Sequence, residues 1–254
     1  MAAGSDRLIE VPTRLGPVQF RGVDTGRPIL LFIMGAFATE NTVDRVHERF
    51  PALDVLRAHL PGNHCPRIAE VSVQGFAAAF TEALETRFLD RPLVIVGLSV
   101  GALVAMSIRV AGLAGLVLVE PPLVTDEAWP LRLLRTQAPA GNDDFVWNIF
   151  GVGPERIERR DYRPQFGDMR TPATIVLGEP VPPDGQATEQ MPGLVGPLSR
   201  AAIQMNPAAR TVQYSNVGHH IIRHKGMELL YEIQSTVRVC LGEDLSVVYL
   251  PELP

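Results

Sequence analysis

The chain has 254 residues, 46% of them hydrophobic, a size and composition that fit a single α/β domain with one sizeable core. Its formal charge of -5 is spread as interspersed acids and bases, with no Lys/Arg block longer than Arg159-Arg160, which argues against nucleic acid or an anionic membrane as a partner. The first residues hold no apolar signal core, no stretch suits a membrane span, and the two cysteines, Cys65 and Cys240, read as free packing thiols, so a cytoplasmic protein is expected.

In chain order, residues 8–11 and 18–21 are short, partly alternating runs separated by proline and glycine, predicted to form an antiparallel pair at a sheet edge. Residues 28–34 predict a buried strand that ends in Gly35-Ala36-Phe37-Ala38, with Asn41 or Thr42 expected to cap a helix reaching Phe50. Residues 53–60 predict another strand, and Ser72 is placed to cap an amphipathic helix over 73–88. Residues 93–96 are wholly apolar and mostly β-branched, as a strand buried on both faces requires, and 102–110 predict a buried helix. Between them lies Gly97-Leu98-Ser99-Val100-Gly101, a serine flanked at two residues on each side by glycine.

A further strand over 113–119 stops at Glu120-Pro121-Pro122. The pattern then weakens over 121–170, predicted to be a cap inserted into a domain that spans 1–254, with a short helix expected at 145–150. Strand character resumes at 173–177, a proline-rich loop covers 180–192, and 194–206 predict a helix. The last strand, 209–214, runs into Asn216-Val217-Gly218-His219-His220 and a final helix near 225–241. Strands alternating with helices predict a mostly parallel sheet with helices on both faces.

The serine motif has the context of a nucleophile elbow: the glycines let strand and helix approach on a strained turn that exposes the Ser99 hydroxyl and sets the Val100 N–H at a helix N-terminus. A serine hydroxyl needs an adjacent base, usually a histidine held by a carboxylate. Ligands of open parallel sheets bind beyond the carboxyl ends of the strands, where Ser99, Glu120, the Gly35 loop and His219 are expected to converge. His219 is preferred to His220 because Val217-Gly218 lets the backbone turn its ring inward. His220 and His224 have i, i+4 spacing, but without a third ligand no metal is expected, and no cofactor is required.

The strand order, Gly97-Leu98-Ser99-Val100-Gly101 and Val217-Gly218-His219 resemble the α/β-hydrolase superfamily over nearly the whole chain. The resemblance implies that fold and a Ser-acid-His triad, and says little of the substrate. The commonest pattern, aspartate three residues after the glycine that ends the next strand, is absent, since Val181 lies three positions after Gly178. Glu120 is the preferred acid, by similarity to thioesterase domains that carry it there, with Glu179 and Asp184 as alternatives. Dehalogenases share that acid position but use an aspartate nucleophile, so dehalogenation is not expected. The resemblance also implies a second oxyanion donor in Met34-Gly35-Ala36, the N–H of Ala36 beside that of Val100. Phe37, Leu98, Trp129 and Trp147 are candidate walls of the substrate pocket. The expected function is cleavage of a small-molecule carboxylic ester or thioester through an acyl-enzyme on Ser99, the alternatives being an acyl-carrier or CoA-type thioesterase and a non-catalytic binder on the same fold.

Overall fold

Half-apolar and wholly apolar strand sequences take different places in one eight-stranded sheet of order β1-β2-β4-β3-β5-β6-β7-β8. The computed structural model describes residues 6–39, 43–128, 138–180 and 191–242. β1 (Arg7–Val11) and β2 (Val18–Gly22) pair antiparallel at one edge, burying alternate residues of β2. β2 also pairs antiparallel with β4 (Asp54–Ala58), and all later neighbours are parallel. These are β3 (Ile29–Ile33), β5 (Leu93–Leu98), β6 (Leu113–Val119), β7 (Ala173–Leu177) and β8 (Ala209–Gln213). Every residue of β3, β4, β5 and β7 is buried, because helices cover both faces, whereas β8 closes the far edge half-exposed.

The helices of the described residues are α1 (Val73–Phe88), α2 (Val100–Ala105), α3 (Asp143–Phe145), α4 (Arg163–Gly167), α5 (Pro197–Met205), α6 (Ile221–His224) and α7 (Gly226–Leu241). On one face α1 and α2 bury Phe76, Phe80, Leu103 and Val104 in a core shared with Phe20, Leu31 and Ile95. On the other, α7 lays Leu229, Ile233 and Val237 over Leu30, Val94, Val96 and Val117. α1 begins where its cap predicts: Ser72 Oγ accepts the Gly75 N–H at 2.8 Å, a contact that contributes about 1 kcal/mol.

Three predicted helices come out shorter, one of them α5, which covers Pro197–Met205 of the expected 194–206. α2 stops at Ala105 rather than near 110, where Ser107 Oγ bonds the Leu103 carbonyl and the Arg109 guanidinium takes the carbonyls of Met106 and Ile108. Over 43–50 only a 3₁₀ turn forms, Val46–Arg49, with Val43 and Phe50 buried beside it. Asn41 and Thr42, the predicted caps, lie outside the described residues.

Between β6 and β7 the chain makes a 3₁₀ turn at Thr125–Glu127, then α3 running directly into a π-helical turn, Val146–Phe150, then α4. Phe145, Ile149, Phe150 and Phe166 are buried in the same core as α1. Arg67 ties this segment to the sheet side through Asp144 and the Gly141 carbonyl, and Asn148 Nδ2 donates to the Val71 carbonyl at 2.9 Å. Glu127 accepts the N–H groups of Leu198 and Ser199 and so caps α5 from a distance in sequence.

Candidate active site

Ser99 ends β5 and begins α2 with φ 54° and ψ -116°, a conformation that non-glycine residues seldom adopt and that costs about 1–3 kcal/mol. The surrounding chain holds it there. Its N–H donates to the Val119 carbonyl at 2.8 Å, and its carbonyl accepts the Ala102 N–H at 2.9 Å. The two glycines of the motif are required by close approach of backbone to backbone. A Cβ on Gly97 would lie 2.5 Å from Ala102 Cα, and one on Gly101 would lie 2.2 Å from the Ile33 carbonyl oxygen. The turn therefore presents the half-buried Ser99 side chain at the carboxyl edge of the sheet while the Val100 N–H, first of α2, has no acceptor within the helix.

Glu120 leaves the next strand in the same strained way, with φ 50°, and is fully buried. Its Oε1 accepts the Gly178 N–H at 2.7 Å and its Oε2 the Leu194 N–H at 2.6 Å. The same Oε2 faces His219 Nδ1 at 3.6 Å, longer than a hydrogen bond, and Nδ1 is buried with no other partner. A carboxylate aimed at an otherwise unpartnered ring nitrogen is the arrangement that selects the tautomer with Nε2 free to act as base. Glu179 is exposed at the end of β7, and Asp184 lies outside the described residues.

His219 reaches this position because the chain after β8 crosses two other segments at van der Waals distance. A Cβ on Gly178 would lie 2.2 Å from the Gly218 carbonyl oxygen, and one on Gly218 would lie 2.0 Å from that of Met191. The His219 N–H donates to the Met191 carbonyl at 2.9 Å, and the Glu179 N–H to that of Val217 at 2.6 Å. His220 follows, its ring 5.7 Å from that of His219, and partial burial followed by the neighbouring His219, His224 and Arg223 holds it below the usual histidine range.

Ser99 and His219 line one cavity of about 330 Å³, with Gly35, Ala36, Leu98, Val119 and Phe150 among its walls. In the loop after β3, Phe37 has φ 56° and its N–H is taken by Asn63 Oδ1 at 2.8 Å. That leaves Ala36, on the cavity wall, as the loop's candidate donor beside Val100. Two predicted pocket walls lie elsewhere. The Phe37 ring packs on Phe145 at 5.2 Å, drawn into the core by the Asn63 contact that turns its backbone, and is absent from the described cavity lining. Trp147 is likewise absent from it and stands between the guanidinium groups of Arg156 and Arg160, at 4.7 and 4.9 Å. The predicted wall Trp129 lies outside the described residues. Sequence reasoning missed Met191 and Leu194, which line the cavity from the loop before α5, and Ile222 and Arg223, which line it from α6, the short helix that follows His219-His220. Among the described residues, no three His, Cys, Asp or Glu side chains gather as metal ligands, and no helix is long and apolar enough to cross a membrane.

An eight-stranded sheet with this order, a nucleophile-elbow turn after β5 and a histidine loop after β8 define the α/β-hydrolase fold, and the chain has that fold. It is similar to a mutant of the N-acyl homoserine lactonase AidH, complexed with N-hexanoyl homoserine, at 17% identity and TM-score 0.65, covering 97% of this chain and 100% of that one. The esterase PF2001 of Pyrococcus furiosus matches at 15% identity and TM-score 0.67 over 94% and 92% of the two chains. A thioesterase domain from the curacin biosynthetic pathway matches at 19% identity and TM-score 0.61 over 91% and 99%. No family model and no curated protein matches the sequence.

Proposed function

We propose that this protein is a serine hydrolase that cleaves a small carboxylic ester or thioester through an acyl-enzyme on Ser99. The observation that carries the reading is that Ser99 and His219 line one cavity, with the buried Glu120 facing the histidine. His219 Nε2 takes the Ser99 proton as Oγ attacks the carbonyl carbon, and the Val100 and Ala36 N–H groups hold the resulting oxyanion. Collapse expels the alcohol or thiol, which takes the proton from His219. Water, deprotonated by the same nitrogen, then attacks the acyl-enzyme and releases the acid. Glu120 keeps the imidazole oriented and stabilises its charge. The segment 121–170 serves as the cap, with Phe150 reaching the cavity from it, and the volume of about 330 Å³, at the small end of ligand sites, suits a short substrate.

The placement of Glu120 after β6, the acid position that resembles thioesterase domains, favours a thioester as the second reading. Comparing turnover of an acyl-thiol with that of the matching aryl ester separates the two. The hydrolase reading itself is tested by intact-mass analysis after incubation with a fluorophosphonate. A single adduct that disappears in Ser99→Ala and forms far more slowly in His219→Ala supports it. An unlabelled wild-type protein with a native melting transition would point to a binder on this fold instead.

A further inference from the structure

The described lining of the Ser99 cavity is mostly apolar. Met34, Ala38, Leu98, Val119, Phe150 and Leu194 offer no charge, and the polar side chains among its described lining are Ser99, His219, His220 and Arg223. Arg223 is the sole residue of that lining with a fixed charge. Eleven of the twenty described arginines face a carboxylate, Arg57, Arg67, Arg87, Arg91, Arg160 and Arg210 among them. Arg223 has no carboxylate within ion-pair distance among the described residues, and the next cation along the chain, Lys225, is already paired with Glu228 at 3.1 Å. The one acid of the site, Glu120, lies on the far side of His219 with both oxygens held by backbone N–H groups. Among the described residues, the cavity lining thus carries one exposed guanidinium with no carboxylate paired to it. A planar cation with five donors, here on an exposed side chain beside the apolar lining, is suited to hold a carboxylate.

We propose that the substrate of this site carries a carboxylate, bound by Arg223 with His220 beside it, so that the enzyme acts on monoesters or thioesters bearing a free acid group. This rests on the hydrolase reading for its chemistry, but not for its binding. The carboxylate belongs either to the acyl half or to the leaving group, and the assay separates them. In one arm, kcat/KM for the mono-4-nitrophenyl ester of glutaric acid is compared with that for the uncharged 4-nitrophenyl pentanoate. In the other, 4-acetoxybenzoate is compared with its methyl ester. The expected result is a preference of about tenfold or more for the anion in one arm, as one charge-assisted hydrogen bond supplies. That preference is erased in Arg223→Gln, reversed in Arg223→Glu and largely kept in Arg223→Lys. Equal or better turnover of the neutral ester in both arms, by a wild type that a fluorophosphonate labels, overturns the anion site and leaves the hydrolase reading standing. Calorimetric titration with glutarate and with 4-hydroxybenzoate reads the site without catalysis. Binding of either that weakens about tenfold in Arg223→Gln supports the site even if Ser99 takes no label, whereas binding equal in wild type and variant, or none of either, overturns it.

Discussion

Two buried carboxylates stand at opposite ends of the parallel strands, and they are built differently. Asp54, at the start of β4, accepts the N–H groups of Thr25, Gly26 and Arg27 and the hydroxyl of Thr25, and pairs with Arg91. Burial alone would raise its pKa, and the donors around it outweigh burial and hold it below the usual aspartate range. Glu120, at the end of β6, has two backbone donors and turns its remaining direction to a histidine ring 3.6 Å away. The first is closed by a resident cation and fastens three loops. The second is left open toward a group that becomes cationic only while a proton is in transit. Of the non-glycine residues with positive φ among those described, Phe37, His64, Ser99, Glu120 and Asn216 follow the carboxyl ends of strands, while Asp90 stands at the amino end of β5.

The largest expected effect is that of Ser99→Ala, which should lower kcat by about 10⁵–10⁶-fold while the melting temperature holds or rises. Retained turnover would remove Ser99 as nucleophile. Glu120→Gln should lower kcat by about 10⁴-fold. It should also destabilise the fold by about 1–3 kcal/mol, because an NH₂ group would then confront the N–H of Gly178 or Leu194. Loss of activity with no change in melting temperature would show that those two contacts are not made in solution.

Asp54→Asn should act on stability alone, by about 2 kcal/mol, with kcat retained. Its pH dependence has a definite sign. A carboxyl whose folded pKa is depressed contributes fully above its unfolded value, about 3.9, and loses that contribution as pH falls through the folded value. The gap in stability between wild type and Asp54→Asn should therefore be constant near neutrality and narrow below about pH 4. A gap that widened in acid would reverse the assignment. The smallest effect is expected for Trp147→Phe, about 0.5–1 kcal/mol from weaker stacking between Arg156 and Arg160, read as a small drop in melting temperature with kcat/KM preserved.

The central strands β3, β5, β6 and β7 were legible as apolar runs, the edge strands β1 and β2 as partly alternating ones, and α1 as a capped amphipathic repeat, because each signal is local in the chain. The strained turn at Ser99 was legible for a related reason: two glycines flanking a serine between a buried strand and a helix allow the close backbone approach that such a turn needs. Trp147 misled because an aromatic residue near a site reads as a pocket wall, while its actual neighbours, Arg156 and Arg160, come from a stretch without periodicity. Phe37 misled similarly, since the Asn63 contact that turns its backbone spans 26 residues.

Residue order was thus enough to specify the parallel sheet, the strained turn at Ser99 and the histidine after the last strand, all set by hydrophobic pattern and by backbone sterics over a few residues. Three-dimensional packing was needed to place Glu120 and not Glu179 opposite His219, to bring the Gly178 and Leu194 N–H groups onto Glu120, and to set Arg223 on the cavity wall with no carboxylate paired to it among the described residues. These depend on which distant segments cross at the carboxyl edge of the sheet, and no short-range preference of the chain encodes such a crossing.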